Sequence, residues 1–125
     1  MRIANLKPLI EVTISEPSTP NISSNYDALI DTGATKTFIS DKVVADLKLP
    51  VTNLGTVTDA SGKPRKVNLY TISLLLEGHT QWIKLECGVT VSRKECEVII
   101  GMDIIQHGEL HITNGQLNFE IKALK

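Results

Sequence analysis

The sequence predicts a small all-β domain with one or two short helices. Three observations carry that prediction. Apolar and polar residues alternate along much of the chain, the period of a strand with one buried face. Two segments of small, turn-forming residues, Thr58–Pro64 (TDASGKP) and Asn114-Gly115, each lie between such runs and read as hairpin tips. Helical spacing is confined to two short stretches, one after Ser40 and one after Gly101.

The elements follow in order. Lys7–Ser15 (KPLIEVTIS) alternates from Ile10 onward, which puts Ile10, Val12 and Ile14 on one inner side. Glu16–Ser24 holds two prolines and several small polar residues and reads as a loop within the domain. Tyr26–Asp31 reads as a strand and Thr37–Ser40 as a short extended piece. Ser40 then serves as a helix N-cap, with Asp41 in the first turn and Val43, Val44 and Leu47 on one face. That helix must end before Pro50. Val51–Thr58 and Lys66–Leu76 are the arms of a long hairpin, and Gln81–Val91 is a strand preceded by a turn at Gly78. Ser92–Glu97 is a polar loop. Val98–Ile100 is a short, wholly apolar strand ending at Gly101, and Met102–His107 a helical turn closed by Gly108. A type I′ turn at Asn114-Gly115 sets Ile112 opposite Leu117 and Leu110 opposite Phe119, giving the hairpin one buried face.

Composition narrows the function class. A chain of 125 residues fits one domain, residues 1–125, and buries roughly two-thirds of its unfolded surface, enough for a single core. The net charge of −1, without a block of like charge, offers no basic face for a nucleic acid or a membrane surface. Lys63, Arg65 and Lys66 read as a solvated loop. No apolar run approaches the ~20 residues of a membrane span, and the start, MRIANLKPLI, has no h-region of a signal peptide. Cys87 and Cys96 are too few for a disulfide scaffold and are expected to be reduced, inert thiols in a cytoplasmic protein.

The chemistry concentrates in Ala28–Ser40, ALIDTGATKTFIS. An Asp leaving a buried strand is costly unless its charge is used or paired. Gly33, directly after Asp31-Thr32, marks a tight turn, and the hydroxyls of Thr32 and Thr35 can stiffen it. The expected product is a carboxylate preorganised for general acid–base work. One carboxylate cannot activate a water and protonate a leaving group at once, whereas two sharing a proton can. The chain holds a single Asp-Thr-Gly, so a two-fold homodimer would supply the second copy.

These residues resemble the active-site motif of retroviral-type, or retropepsin-like, aspartic proteases: an apolar run, Asp31-Thr32-Gly33-Ala34, and a second apolar run. A second motif agrees. Ile99-Ile100-Gly101 followed by MDIIQHG is similar to the family's apolar pair, glycine and short helix beneath the catalytic loop. Between the two lies the TDASGKP hairpin, where the family has its flap. The resemblance spans roughly Lys7–Ile121, and the Gly-Met-Asp-Ile-Ile run is closer to cellular members, bacterial ones included, than to viral enzymes.

The resemblance implies a closed-barrel-like acid-protease fold and an aspartic endopeptidase that acts on polypeptides as a homodimer. Asp31 would be the catalytic acid/base, sharing a water with its partner's copy. Thr32 would lock the two loops across the axis, and Gly33 would bind substrate backbone, with Ala34 and Thr35 beside it. Ala60, Ser61 and Gly62 would form the flap tip, and Ile99 would line a side-chain pocket. No metal or organic cofactor is implied.

Two departures from the family pattern have consequences. Pepsin-like enzymes carry Ser or Thr where Ala34 stands. Without that hydroxyl the charged carboxylate is stabilised less, so activity is expected at mildly acidic rather than very low pH. Viral enzymes often pair an acidic residue and an Arg at the positions of Thr35 and Met102, so that ion pair must be absent and support for the dimer must come from elsewhere.

Blander readings stand beside these. Asp31 could simply hold a turn. A phosphoaspartate motif, Asp-Lys-Thr-Gly-Thr, would need a Lys and a parallel α/β fold that this chain lacks. Asp103 reads as the N-terminal charge of the short helix rather than a second catalytic group. Gly108 separates His107 from His111, which argues against a zinc site. Trp82 and Tyr70 read as core or rim residues. A catalytically silent dimeric peptide-binding or interaction module on the same fold is the competing function. An intact Asp-Thr-Gly argues against it, because a scaffold has no use for a costly paired carboxylate.

Overall fold

A computed structural model describes residues 1–58, 61–90, 92 and 95–122. Its strands are β1 (Arg2–Ala4), β2 (Lys7–Ser15), β3 (Ser23–Ile30), β4 (Phe38–Ser40), β5 (Asn53–Thr58), β6 (Pro64–Leu76), β7 (Ile83–Thr90), β8 (Val98–Ile100), β9 (Gly108–Thr113) and β10 (Gln116–Ile121). Two helices join them, α1 (Asp41–Leu47) and α2 (Met102–Ile105). The all-β prediction therefore holds, and the predicted strands and helices fall within a few residues of those observed.

Eight strands run in the order β1-β2-β3-β8-β4-β7-β6-β5, and a further pairing of β2 with β6 closes six of them into a ring. The ring is not a clean barrel. β4 and β8 span three residues each, and the β3–β8 and β4–β7 pairs are parallel among antiparallel neighbours. Closure comes from the length of β6. Its second half pairs with β7, from Tyr70↔Cys87 to Leu74↔Ile83, and with β2, from Val12↔Leu76 to Ser15↔Ser73. Its first half leaves the ring and pairs only with β5, so a hairpin projects from the body.

The core is what alternation dictates. Ile10, Val12 and Ile14 are buried on β2, Ile72, Leu74 and Leu76 on β6, and Ala28 and Ile30 on β3. All of β8 is buried, as a short continuous apolar strand requires. Each fully buried Ile or Leu contributes about 1.5–3 kcal/mol relative to exposure. α1 is capped as predicted. The Ser40 hydroxyl accepts from the Val43 N–H at 3.3 Å and donates to Glu97, and Lys48 ends the helix in the left-handed region at φ 49°. Such an N-cap stabilises by about 1 kcal/mol.

Three details differ from expectation. β1 was not predicted, because the turn joining it to β2 places Asn5 and Leu6 at φ 52° and 63°. Leucine is a poor residue for that conformation and gives no turn signal. Gly108 does not cap α2. The helix ends at Gln106 in ordinary right-handed geometry, and Gly108 opens β9, where a Cβ would lie 2.5 Å from the Glu120 carbonyl oxygen. The terminal hairpin has the predicted register and a turn with Asn114 and Gly115 at φ 51° and 73°. Its buried face is incomplete, however. Leu117 and Phe119 are buried and Leu110 packs partly buried against the core, while Ile112, beside the turn of this two-stranded sheet, is 52% exposed. Val91, which closed the predicted strand before β8, lies outside the described residues, as do Arg93 and Lys94 of the following loop.

Cys87 and Cys96 are both free and buried. Burial, reinforced by the charges of Asp103 and Glu86, pushes the Cys87 thiol up from 9.0 to about 12. Burial and the hydrogen bond to Asp46 push Tyr26 up from 10.0 to about 12. Both are raised, so both hold protons more tightly folded than unfolded. Their contribution is full below the ordinary values and is lost as pH climbs toward 12. Urea denaturation at stepped pH should show stability falling from about pH 9 to about pH 12, with a shallower fall in Cys87→Ala and in Tyr26→Phe. Iodoacetamide should leave Cys87 unmodified in the native protein and modify it in urea.

Candidate active site

β3 runs parallel to β8 in the register Ala28↔Val98, Leu29↔Ile99 and Ile30↔Ile100. The Asp31 N–H continues that ladder by donating to the Ile100 carbonyl at 2.9 Å. The chain then turns sharply, with the Ala34 N–H on the Asp31 carbonyl at 3.1 Å. The Gly33 N–H donates to Asp31 Oδ1 at 2.8 Å, so the loop's own backbone fixes the carboxylate's orientation. A Cβ on Gly33 would sit 3.2 Å from that same oxygen, which favours glycine there.

The second motif holds this loop from below. The Met102 N–H donates to the Ala34 carbonyl at 2.8 Å and the Asp103 N–H to the Thr35 carbonyl at 3.2 Å. The approach at Gly101 is so close that a Cβ would lie 2.5 Å from both the carbonyl carbon and oxygen of Lys36. This glycine is required by contact, since its φ of −100° is open to any residue.

Thr37 and Asp103 complete the clamp. Thr37 is fully buried. Its N–H donates to Asp103 Oδ2 at 2.9 Å, its hydroxyl donates to Oδ1 at 2.8 Å, and the same hydroxyl accepts from the Gly101 N–H at 3.2 Å. Asp103 does lie in the first turn of α2, as expected, but its carboxylate serves the Asp31 loop. Sequence reasoning missed Thr37. Its signal was a Thr at the end of a polar loop entering an apolar strand, a position where a buried hydroxyl needs partners.

A cleft of about 350 Å³ opens beside this loop. Asp31, Gly33, Ala34 and Ile99 line it together, with Val57 and Arg65 from the projecting hairpin. Thr35 lines an adjoining cavity of about 390 Å³ with Lys36. Thr32 is exposed on the loop and lies in neither lining. Ser61 and Gly62 stand at the hairpin tip, also outside both linings, with Gly62 at φ +82°. Ala60 lies outside the described residues. Arg65 is exposed, as its solvated reading expected, but it lies in β6 rather than in a loop. It pairs across the hairpin with Val57, and cross-strand partners share a face, here the one turned to the cleft. Among the described residues no group of three or more His, Cys, Asp or Glu is placed to hold a metal ion.

The family model "gag-polyprotein putative aspartyl protease" matches residues 21–107, a stretch that includes both motifs. In structure the chain resembles a retropepsin-like aspartic protease from Rickettsia conorii, with a TM-score of 0.55 at 13% identity over 89% of this chain and 90% of that one. It also matches the foamy viral protease-reverse transcriptase solved with an RNA/DNA hybrid, with a TM-score of 0.48 at 20% identity over 79% of this chain and 12% of that one. A third match is the retroviral protease-like domain of Ddi1 from Leishmania major, with a TM-score of 0.48 at 15% identity over 90% and 94% of the two chains. The Rickettsia structure shows the shared fold. No curated protein matches the chain in sequence.

The clamp makes a prediction about stability. Asp103→Ala leaves the buried Thr37 N–H and hydroxyl without their acceptor and should cost about 1–3 kcal/mol. Adding Thr37→Val should cost less than the two single changes summed, since the partners are removed together. Gly101→Ala forces backbone apart and should cost about 1–3 kcal/mol. Chemical denaturation of the four variants checks all three, and additive costs at Thr37 and Asp103 would discard the coupling.

Proposed function

The chain belongs to the retropepsin-like aspartic protease family, and from that premise we propose that it is an aspartic endopeptidase working as a homodimer. The observation that carries this reading is Asp31 itself. Its carboxylate lines a cleft, is oriented by the Gly33 N–H, and stands on a loop bonded through Ile100 and Met102 to the strand and helix beneath. A single carboxylate so preorganised is half of an acid–base pair. The second copy comes from a partner chain across a two-fold axis.

In the assembled pair, like charges in close contact share one proton. The ionised Asp31 takes a proton from a water as that water's oxygen attacks the scissile carbonyl. The protonated Asp31 of the partner subunit gives its proton to the carbonyl oxygen, which yields a tetrahedral diol. The proton taken from water then passes to the amide nitrogen while one diol hydroxyl returns its proton to the partner's Asp31, the carbon–nitrogen bond breaks, and a carboxyl and an amine leave with the one shared proton restored. Thr32, exposed in the single chain, faces the axis and ties the two loops. Gly33 offers its carbonyl to the substrate backbone, with Ala34 and Thr35 alongside. The hairpin tip at Ser61 and Gly62 closes over an extended peptide through main-chain contacts. Ile99 forms part of a side-chain pocket. The buried free thiols of Cys87 and Cys96 suit a reducing, cytoplasmic setting.

Two outcomes follow from this reading. A diverse peptide library at about pH 4–7 should be cut by the wild type and not by Asp31→Asn, with a loss of at least ~10²–10⁴-fold in rate and the dimer retained. Equal cutting by both would end the aspartic assignment, and no cutting by a folded dimer would favour the silent peptide-binding module. Specific activity should also fall on dilution, because each chain supplies half a site. A constant specific activity down to concentrations where sedimentation shows monomer would rule out the shared site.

A further inference from the structure

The two cavities beside the Asp31 loop are unevenly charged. They adjoin, sharing Phe38, Val57, Thr58 and Val67. Among the described residues that line them, Asp31 is the one carboxylate, while Arg65 and Lys36 are cations. Among the described residues Arg2 pairs with Asp27 at 3.1 Å and Lys42 with Asp46 at 2.7 Å, while Lys48, Lys66 and Lys84, which line neither cavity, stand without an ion pair. Arg65 makes no ion pair with any described residue, Asp31 included. The strand register accounts for its direction, since its cross-strand partner Val57 lines the same cleft. Arg65 is exposed in the single chain, so water leaves a charge pair formed there only when a bound peptide covers it against neighbours such as Val67, Val89 and Ile99.

We propose that Arg65 is a specificity-determining residue that selects peptides carrying an Asp or Glu side chain close to the scissile bond. This rests on the peptide-cleft reading given above. A guanidinium presents a rigid fork of donors that a carboxylate accepts in two parallel hydrogen bonds, which a lysine cannot reproduce. Asp31 is unsuited as its lasting partner, because its Oδ1 already takes the Gly33 N–H and its charge is used in chemistry. Arg65 and Asp31 line one cleft of about 350 Å³, and an extended peptide advances about 3.3 Å per residue. The acidic side chain therefore falls within about two residues of the bond that Asp31 attacks. Lys36, in the adjoining cavity, adds a longer-range attraction of the same sign.

The test uses matched peptides that differ only by Glu, Gln or Lys at each position in turn. Wild type, Arg65→Gln and Arg65→Glu are compared by kcat/KM, and the same Arg65 changes in an Asp31→Asn background by fluorescence anisotropy. In the wild type the Glu-to-Gln ratio should be about tenfold or more at one position, as for a hydrogen-bonded charge pair. It should fall to about one in Arg65→Gln, and Arg65→Glu should prefer the Lys peptide. The wild-type preference should also fade below about pH 4, where a peptide Glu is protonated. A merely structural Arg65 would change rates without changing these ratios. Cleavage with the same ratios in all three proteins overturns this inference and leaves the protease reading standing. Absence of cleavage with Arg65-dependent binding of Glu peptides does the reverse. Absence of both cleavage and Arg65-dependent binding overturns the two together.

Discussion

The contact on which the rest of this structure depends is the one between the Asp31 loop and the strand-to-helix turn at Gly101. Two pieces of chain remote in sequence meet there with no side chain between them. The glycine lies so near the Lys36 carbonyl that even a methyl group could not be inserted. Because the backbones touch, their polar groups can pair directly, Asp31 with Ile100 and Ala34 with Met102. The buried Thr37 then uses its N–H and hydroxyl on both oxygens of Asp103. The loop is thereby held at both ends, and one of its own donors, the Gly33 N–H, orients the carboxylate.

The ring of strands explains why that contact forms. β3 and β8 are parallel neighbours, so the residues following each strand emerge at the same end of the pair. β4 lies on the other side of β8 and returns the chain from the loop into the core. The loop therefore starts and finishes on strands that flank the one leading to Gly101. The long β6 adds the second half of the cleft. It is rooted in the ring by β2 and β7, and its free half carries Arg65 and Val67 outward to face the loop. A rigid floor and a projecting hairpin suit a site that must grip an extended ligand.

The clamp also bears on how this chain differs from viral relatives of its family. Thr35 and Met102, where the resemblance would place an ion pair in viral enzymes, are uncharged residues. The next residue, Asp103, supplies a carboxylate, and it bonds within the chain to Thr37. Both oxygens of the partly exposed Asp103 are thereby given donors within the chain.

Much of this was legible in the residues alone. Alternation gave the inner faces of β2 and β6, Ser40 and Asp41 gave the start of α1, and Asn114-Gly115 gave the register of the last hairpin, because each is decided by neighbours a few residues apart. The Asp-Thr-Gly and Ile-Ile-Gly motifs pointed to one another only through a resemblance. What tertiary structure decided was every relation between distant segments. β1 followed a turn whose leucine gives no local signal. Ile112 proved exposed although its partner Leu117 is buried, because it lies beside the turn of a two-stranded hairpin. Thr37 and Asp103 became partners, and Arg65 turned into the cleft, through strand register and backbone approach. Local sequence fixes dihedral angles and the period of burial. Which donor meets which acceptor across the ring depends on closing it, and closure is a property of the whole chain.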